Sequence, residues 1–154
     1  INMSGIIGSA GSKSGVIGIT ELDYEEGYWT AACAADSGSL SIHSATSNSS
    51  YTKIGRLVHV HGSYTFENTG TGNLTISGLP FEQYDGTGNA GLSAPTVYMR
   101  NTSSQIDTYI SGNGAEGNTV VYIRFGGHTG VGDTVANVID AGTFMYWSWT
   151  YSTS

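Results

Sequence analysis

The clearest pattern in the sequence is an alternation of apolar and polar residues over 57–66. The apolar set is Val58, Val60, Tyr64 and Phe66, and the polar set between them is His59, His61 and Thr65. Because successive side chains of a strand point to opposite faces, this pattern predicts a half-buried β-strand. Its two histidines are expected to face away from the core.

Short runs rich in β-branched and aromatic residues recur along the rest of the chain. The predicted strands span residues 28–35, 38–45, 51–55, 57–66, 73–77, 96–101, 105–110, 118–125 and 143–151. We expect one hairpin around a turn at 36–38 and another from the strands at 96–101 and 105–110, with further turns at 70–72 and 113–114. No segment longer than a turn or two has helical periodicity. The pattern predicts an all-β fold, either a β-sandwich or a jelly roll.

The last predicted strand is the most aromatic part of the chain. One face carries Trp147, Trp149 and Tyr151, and the other carries Tyr146, Ser148 and Thr150. We expect the tryptophan face to be buried. Apolar residues at strand spacing elsewhere are also predicted to be core: Trp29, Ile54, Val58, Val60, Leu74, Ile76 and Leu79.

Composition narrows the possible functions. Charged residues make up 11% of the chain, against about 25% in a typical soluble domain. The net charge is −7 and the five basic residues are scattered, which argues against a nucleic-acid partner because phosphate binding needs clustered Lys and Arg. No long apolar run predicts membrane insertion. The single cysteine, Cys33, excludes an intramolecular disulfide, and its alanine neighbours predict a buried thiol.

The first 27 residues differ from the rest. Residues 1–20 contain short apolar pieces around a Gly/Ser linker, and neither piece can bury its apolar side alone. We interpret them as a stem or attachment segment that packs against copies of itself, followed by an acidic hinge at 21–27 and a head domain at 28–154. The chain begins at Ile1, and we expect it to be a piece of a longer protein.

Three motifs follow one another in residues 21–81: DYEEGYWT at 23–30, YTKIGRLVHV at 51–60 and LTISGLPF at 74–81. In order and spacing they resemble the C-terminal domain of tail-fibre and other virion structural proteins of tailed bacteriophages. Ala31 departs from the pattern, which has proline after the Trp-Thr pair. The resemblance implies a trimeric β-sandwich head on a stalk, located in the virion, and it does not imply catalysis.

The residues themselves also give little support for an enzyme. No Gly-x-Ser-x-Gly elbow is present. The acidic residues cluster in the predicted hinge or stand singly near turns, whereas glycosidic cleavage needs two carboxyl groups facing each other across a groove. We therefore expect no catalytic residues and no cofactor.

His59 and His61 lie two residues apart and share the outward face of their strand. One interpretation is a pair of solvated or cross-strand-bonded histidines on a polar face. The other is a metal site on the threefold axis of a trimer, where His59 and His61 from three chains could act as ligands.

Recognition is expected in the loops, because binding residues are often presented on loops held by a rigid scaffold. The candidate loops are 82–94 and 126–133, which are rich in Gly and polar residues. The residues predicted to contact a receptor are Tyr84, Asp85, Asn89, His128 and Thr129.

The resulting hypothesis is a homotrimeric phage virion module, a fibre or capsid appendage, that attaches to host-surface glycan or protein. It would join other virion proteins through its N-terminal segment. Two alternatives stay open: a purely structural decoration protein without receptor binding, and a polysaccharide-cleaving domain.

Overall fold

The computed structural model describes residues 23–88, 93–103, 109–126 and 135–154, and these residues form two antiparallel β-sheets. The strands are β1 (Tyr24–Tyr28), β2 (Ala32–Gly38), β3 (Asn48–Ile54), β4 (Leu57–Thr65), β5 (Gly70–Ser77), β6 (Thr96–Arg100), β7 (Tyr109–Gly114), β8 (Val120–Gly126) and β9 (Phe144–Ser152). A single 3-10 turn, Val135–Val138, precedes β9 in the described part of the chain. No helix in these ranges is long and apolar enough to cross a membrane.

The two sheets enclose one hydrophobic core. The five-stranded sheet has the order β1-β3-β4-β9-β6, and the four-stranded sheet has the order β2-β5-β8-β7. Val60 and Trp149 enter the core from the first sheet, and Ile76 and Ile123 enter it from the second, each at most 2% exposed. The predicted all-β, two-layer architecture is confirmed. The jelly-roll topology, the trimer and the division into stem, hinge and head stay predictions.

The middle of the five-stranded sheet follows the sequence pattern closely. β3 and β4 form an antiparallel hairpin whose turn contains Gly55 at φ 57°. On β4 the predicted alternation holds, since Val58 and Val60 are fully buried. Ile54 was expected in the core but is 46% exposed, because its register with Leu57 points both side chains outward at the end of the hairpin.

The hairpin predicted from residues 28–35 and 38–45 is wrong. β2 continues through the expected turn as far as Gly38 and pairs with β5, with a bulge between Ala35 and Ser37. Residues 38–45 contribute one isolated bridge, Ile42 to Phe66. The Asp-Ser-Gly turn signal therefore marks an irregularity within a strand.

The hairpin predicted from 96–101 and 105–110 is also wrong. β6 pairs with β9 in the five-stranded sheet, whereas β7 pairs with β8 in the other sheet. Connections that change sheet give the same local turn pattern as hairpins, so the sequence does not distinguish them.

Two predicted glycine turns lie inside strands instead. Residues 70–72 belong to β5 and 113–114 belong to β7. A Cβ atom on Gly70 would lie 2.6 Å from the Cβ of Ala35, and one on Gly72 would lie 2.5 Å from Asp36. These glycines therefore allow β2 to approach β5 closely.

The segment interpreted as an acidic hinge includes a strand, because β1 begins at Tyr24 and pairs along its whole length with β3. Lys53 Nζ holds the Asp23 carboxylate at 2.6 Å, and the Tyr51 hydroxyl donates to Glu25. The backbone pairing of β1 with β3, together with these two side-chain contacts, makes residues 23–27 part of the five-stranded sheet. Residues 1–22 lie outside the described residues.

Candidate binding surface

The predicted receptor loops are only partly described. Tyr84 lies in the connection between β5 and β6, with the Arg56 guanidinium 4.5 Å from its ring centroid and its backbone N–H donating to Ser152 at 2.8 Å. Asp85 follows, with its carboxylate beside Gly117. The other three predicted contact residues, Asn89, His128 and Thr129, lie outside the described residues. The prediction that these five residues form one contact surface therefore stays a prediction.

Gln83 fixes this connection to the sandwich. It is 1% exposed, and its side-chain Nε2 donates to the Val120 carbonyl at 2.6 Å. Gly114 leaves the space that Gln83 occupies, because a Cβ there would overlap the amide oxygen and lie 2.6 Å from Trp149. The burial of Gln83 could not be predicted from the sequence, because a lone polar residue in a loop carries no burial signal.

His59 and His61 are exposed on the outer face of the five-stranded sheet, as predicted. His59 Nδ1 lies 2.9 Å from Thr150 Oγ1, and His61 Nε2 lies 2.6 Å from Ser50 Oγ. Both histidines are thus bonded across strands. Within the described ranges of one chain, no group of three or more His, Cys, Asp or Glu side chains could hold a metal ion. A site that takes its ligands from three chains stays a prediction.

The outer face of the five-stranded sheet also carries all six exposed large hydrophobic side chains of the described residues. They are Tyr24, Tyr28, Ile54, Leu57, Tyr98 and Tyr146. Strand register places them on this face, because they lie in the same cross-strand rows as the outward-facing residues of β4. An unpaired apolar surface concentrated on one face is typical of an interaction site.

Five of these six side chains form two groups towards opposite ends of the face, and the sixth, Tyr28, lies on the edge strand β1 opposite Ser50. Tyr24, Ile54 and Leu57 are cross-strand neighbours at one end, which we call the aliphatic end. A polar row then crosses the sheet: Glu26, Thr52, His59 and Thr150. Tyr98 and Tyr146 lie beyond it, on β6 and β9.

The second group borders an open cleft of about 340 Å³, which we call the tyrosine cleft. Six side chains from β4, β6 and β9 surround it: His61, Ser63, Thr96, Tyr98, Tyr146 and Ser148. None of these is Asp, Glu, Lys or Arg. The cleft therefore combines aromatic surface with neutral hydrogen-bonding groups.

The two tyrosines of the cleft are direct cross-strand partners. Their rings are nearly parallel, with an interplanar angle of 24° and centroids 6.3 Å apart. The Arg100 guanidinium lies 5.9 Å from the Tyr146 ring centroid and 4.5 Å from that of Phe144. Cation–π contacts of this kind hold the Tyr146 ring in place from one side.

The floor of the cleft is closely packed. Trp147 is 3% exposed and points away from the cleft into the core, where its ring meets Trp29 edge-on at 6.2 Å. Gly62 faces it from β4, and a Cβ there would lie 2.3 Å from the indole nitrogen. The prediction that Trp147, Trp149 and Tyr151 are buried is confirmed, each at 3% exposure or less.

Titratable groups in the core are held in their neutral forms. Burial raises the pKa of the Cys33 thiol to about 12. Burial also raises the pKa of Tyr64 and of Tyr151, although hydrogen bonds to Ser49 and to the Phe81 carbonyl partly oppose the increase. Cys33 is buried as predicted, and its thiol is not poised as a nucleophile.

The fold has a counterpart among solved structures. No protein-family model and no curated protein matches this sequence. The chain shares its fold with part of the Dettilon tailspike protein. Superposition of the chain on that crystal structure gives a TM-score of 0.71. The two sequences are 12% identical, and the match covers 84% of this chain. It covers 24% of the tailspike, so the chain spans about a quarter of the tailspike's length.

The tyrosine cleft itself was not predicted from the sequence. Tyr146 was assigned to the side opposite the tryptophans, but the contact with Tyr98 depends on β6 lying beside β9. The alternation of exposed Thr96, Tyr98 and Arg100 with the inward Val97 and Met99 was the available signal. It predicts an outward tyrosine, although it does not identify the neighbouring strand.

Proposed function

We propose that this chain is a structural module of a phage tail appendage, of the fibre or tailspike type, and that it serves host-surface attachment without catalysis. The observation that carries the proposal is the fold similarity to part of a phage tailspike protein. The motif resemblance of residues 21–81 to tail-fibre and virion structural proteins supports the same class independently.

The module is proposed to act as a homotrimer that joins other virion proteins through residues 1–20. Support comes from the aliphatic end, where Ile54 and Leu57 are 46% and 53% exposed. This surface lies beside Asp23, the first described residue, whose carbonyl accepts the Gly55 N–H at 2.7 Å. Covering such side chains with a second copy would remove apolar surface from water.

Attachment to a host-surface glycan or protein is supported by the second group of exposed aromatics and by the low charge of the chain. Tyr98 and Tyr146 are 60% and 41% exposed on a rigid sheet, and Tyr is enriched at recognition surfaces. Three linked copies would raise overall avidity about 10²–10⁴-fold above a weak single site.

Two measurements test this function. Immunogold labelling with antibodies against the purified chain should mark a fibre tip or tail tip on the particles that carry it. The purified protein should also run as a trimer in light scattering and bind intact cells of a susceptible bacterial strain. Labelling elsewhere on the capsid without cell binding would favour the decoration alternative, and release of reducing sugar from host polysaccharide would favour a cleaving domain.

A further inference from the structure

The tyrosine cleft combines the features needed to bind one uncharged sugar ring. We propose that it is the glycan-binding site of this module and that it takes a neutral pyranose unit, with Tyr98 and Tyr146 as the aromatic contact. This inference rests on the proposed attachment function and locates it on the sheet instead of on the loops. The volume of about 340 Å³ is at the lower end of small-ligand sites.

The aromatic part of the site is prepared before a ligand arrives. Tyr98 is 60% exposed although it is a direct partner of Tyr146, so ring surface is left open to solvent. Tyr146 is oriented by Arg100, whose Nη2 lies 3.5 Å from the Tyr146 hydroxyl. The apolar face of a pyranose covers such a ring in the way that another flat apolar group would. Little ordering of side chains is then required on binding.

The polar part of the site lies within reach of the same ligand. Ser148 is the cross-strand partner of both His61 and Thr96, which places three hydrogen-bonding side chains in one row beside the tyrosines. The His61 ring is fixed through Nε2 by Ser50, so Nδ1 is the nitrogen that would serve a ligand. Hydroxyl and imidazole groups donate and accept, which matches the hydroxyls of a sugar.

Charge favours a neutral ligand over an acidic one. None of the six side chains around the cleft is Asp, Glu, Lys or Arg, and the chain carries a net charge of −7. This charge repels anionic ligands at a distance. The Arg100 guanidinium lies beside this group of tyrosines, where it is engaged with the rings of Phe144 and Tyr146.

A second copy of the chain suits the tyrosine cleft less well. Interface cores between protein copies are apolar and continuous. Here the polar row through Thr52, His59 and Thr150 separates the cleft from the aliphatic end. The aliphatic end is therefore the better surface for self-association, and the cleft is the better one for a ligand rich in hydroxyls.

The test is a saturation-transfer NMR titration of the full chain with the methyl glycosides of glucose, galactose, mannose and N-acetylglucosamine, and with glucuronic acid as the charged comparison. We expect at least one neutral glycoside to bind with a Kd in the millimolar range. Tyr98→Ala should weaken binding about five- to tenfold, which corresponds to the loss of one aromatic contact. Tyr98→Phe keeps the ring and should stay within about twofold of the parent.

The matched control is Tyr24→Ala, which removes a tyrosine of similar exposure from the aliphatic end of the same face and should leave glycoside binding unchanged. Failure of all neutral glycosides, stronger binding of glucuronic acid, or equal binding by Tyr98→Ala and the parent would each overturn the site. So would dissociation of the trimer in Tyr98→Ala, since the cleft would then be a contact between copies.

Cell binding separates failure of this site from failure of the proposed function. If the parent chain binds host cells and Tyr98→Ala binds them equally well, the attachment function stands and the cleft is not its site. If the parent binds glycosides at the cleft but binds no cells of a susceptible strain, the cleft is a sugar site and the attachment function is wrong.

Discussion

The two outer faces of the sandwich differ in what they present to solvent. The face of the five-stranded sheet carries all six exposed large hydrophobic residues of the described chain. The residues of the four-stranded sheet's outer face include Ala32, Ala34, Thr75 and Ser77, and Tyr122 on this face is half-buried, with the Arg124 guanidinium 5.5 Å from its ring centroid. Both faces cover the same core, so the exposed tyrosines are not needed to build a stable sheet. Their concentration on one face is the observation from which the proposed binding site was inferred.

Among the residues of the outer faces, the largest effect is expected beneath the tyrosine cleft. In Gly62→Ala the new methyl group would lie 2.3 Å from Trp147 Nε1 and 2.7 Å from the Tyr64 hydroxyl. Both rings are buried and have little room to move, so we expect a loss of about 2 kcal/mol in the free energy of unfolding. Urea denaturation measures it.

Ala34→Val is the control for Gly62→Ala on the other sheet. It adds side-chain volume at an exposed strand position opposite Thr75, where the expected change is within about 0.5 kcal/mol. Equal effects of the two substitutions would mean that the floor of the cleft is no more tightly packed than an open sheet surface.

High pH is expected to destabilise the fold through its core residues. Burial raises the pKa of Cys33 from 9.0 to about 12, and it also raises the pKa values of Tyr64 and Tyr151. Because the folded chain favours the neutral forms, the contribution of these groups to stability should be constant below about pH 9 and fall from there towards pH 12. The limiting slope is about 1.4 kcal/mol per pH unit for each group.

Urea denaturation at pH 8, 9, 10 and 11 measures this slope, and Cys33→Ala should make it shallower. The same variant at pH 8 reports the packing cost of the lost thiol separately. Alkylation of Cys33 by iodoacetamide at pH 8 should require unfolding. Rapid alkylation of the folded chain, or a slope unchanged by Cys33→Ala, would contradict the buried neutral thiol.

A smaller effect on stability is expected from the tyrosines that distinguish the two faces. Tyr98→Ala removes a ring that is 60% exposed and stacked on Tyr146, and we expect a loss of about 0.5–1 kcal/mol. Thermal and urea unfolding measure this loss in the free energy of unfolding. The comparison variant is Tyr151→Ala, which empties a core position and should cost about 3–5 kcal/mol. If Tyr98→Ala proved as costly as Tyr151→Ala, the exposed tyrosines would be structural and the contrast between the faces would lose its meaning.

The comparison between sequence and structure separates local from long-range information. Alternation on β4 and β9 identified the core face because the strand period of two is a local property, and Val58, Val60, Trp147 and Trp149 are buried as expected. The pairing of strands with one another was predicted wrongly for two hairpins. β6 and β7 are consecutive in sequence and lie in different sheets, and turn residues do not encode that choice.

The same limit explains why the tyrosine cleft could not be predicted from the sequence. Tyr98 and Tyr146 are 48 positions apart in the sequence, and they meet only because β6 and β9 are neighbours. Loop residues such as Tyr84 could be named from composition alone. A site assembled from three strands requires the strand order, which hydrophobic periodicity does not contain.

The smallest effect on stability is expected at the two exposed histidines, His59 in the polar row and His61 at the tyrosine cleft. Each histidine already has a cross-strand hydrogen bond, His59 with Thr150 and His61 with Ser50, so neither ring requires a metal to hold its orientation. Dialysis of the purified protein against EDTA should therefore leave the Tm unchanged, and His59→Ala should cost at most about 0.5 kcal/mol, because the hydrogen bond that it removes is exposed to solvent. A drop in Tm with EDTA in the parent, absent from His61→Ala, would instead establish a metal on the threefold axis. In that case the face with the histidines would lie between the copies, and the tyrosine cleft beside it would not be open to a glycan.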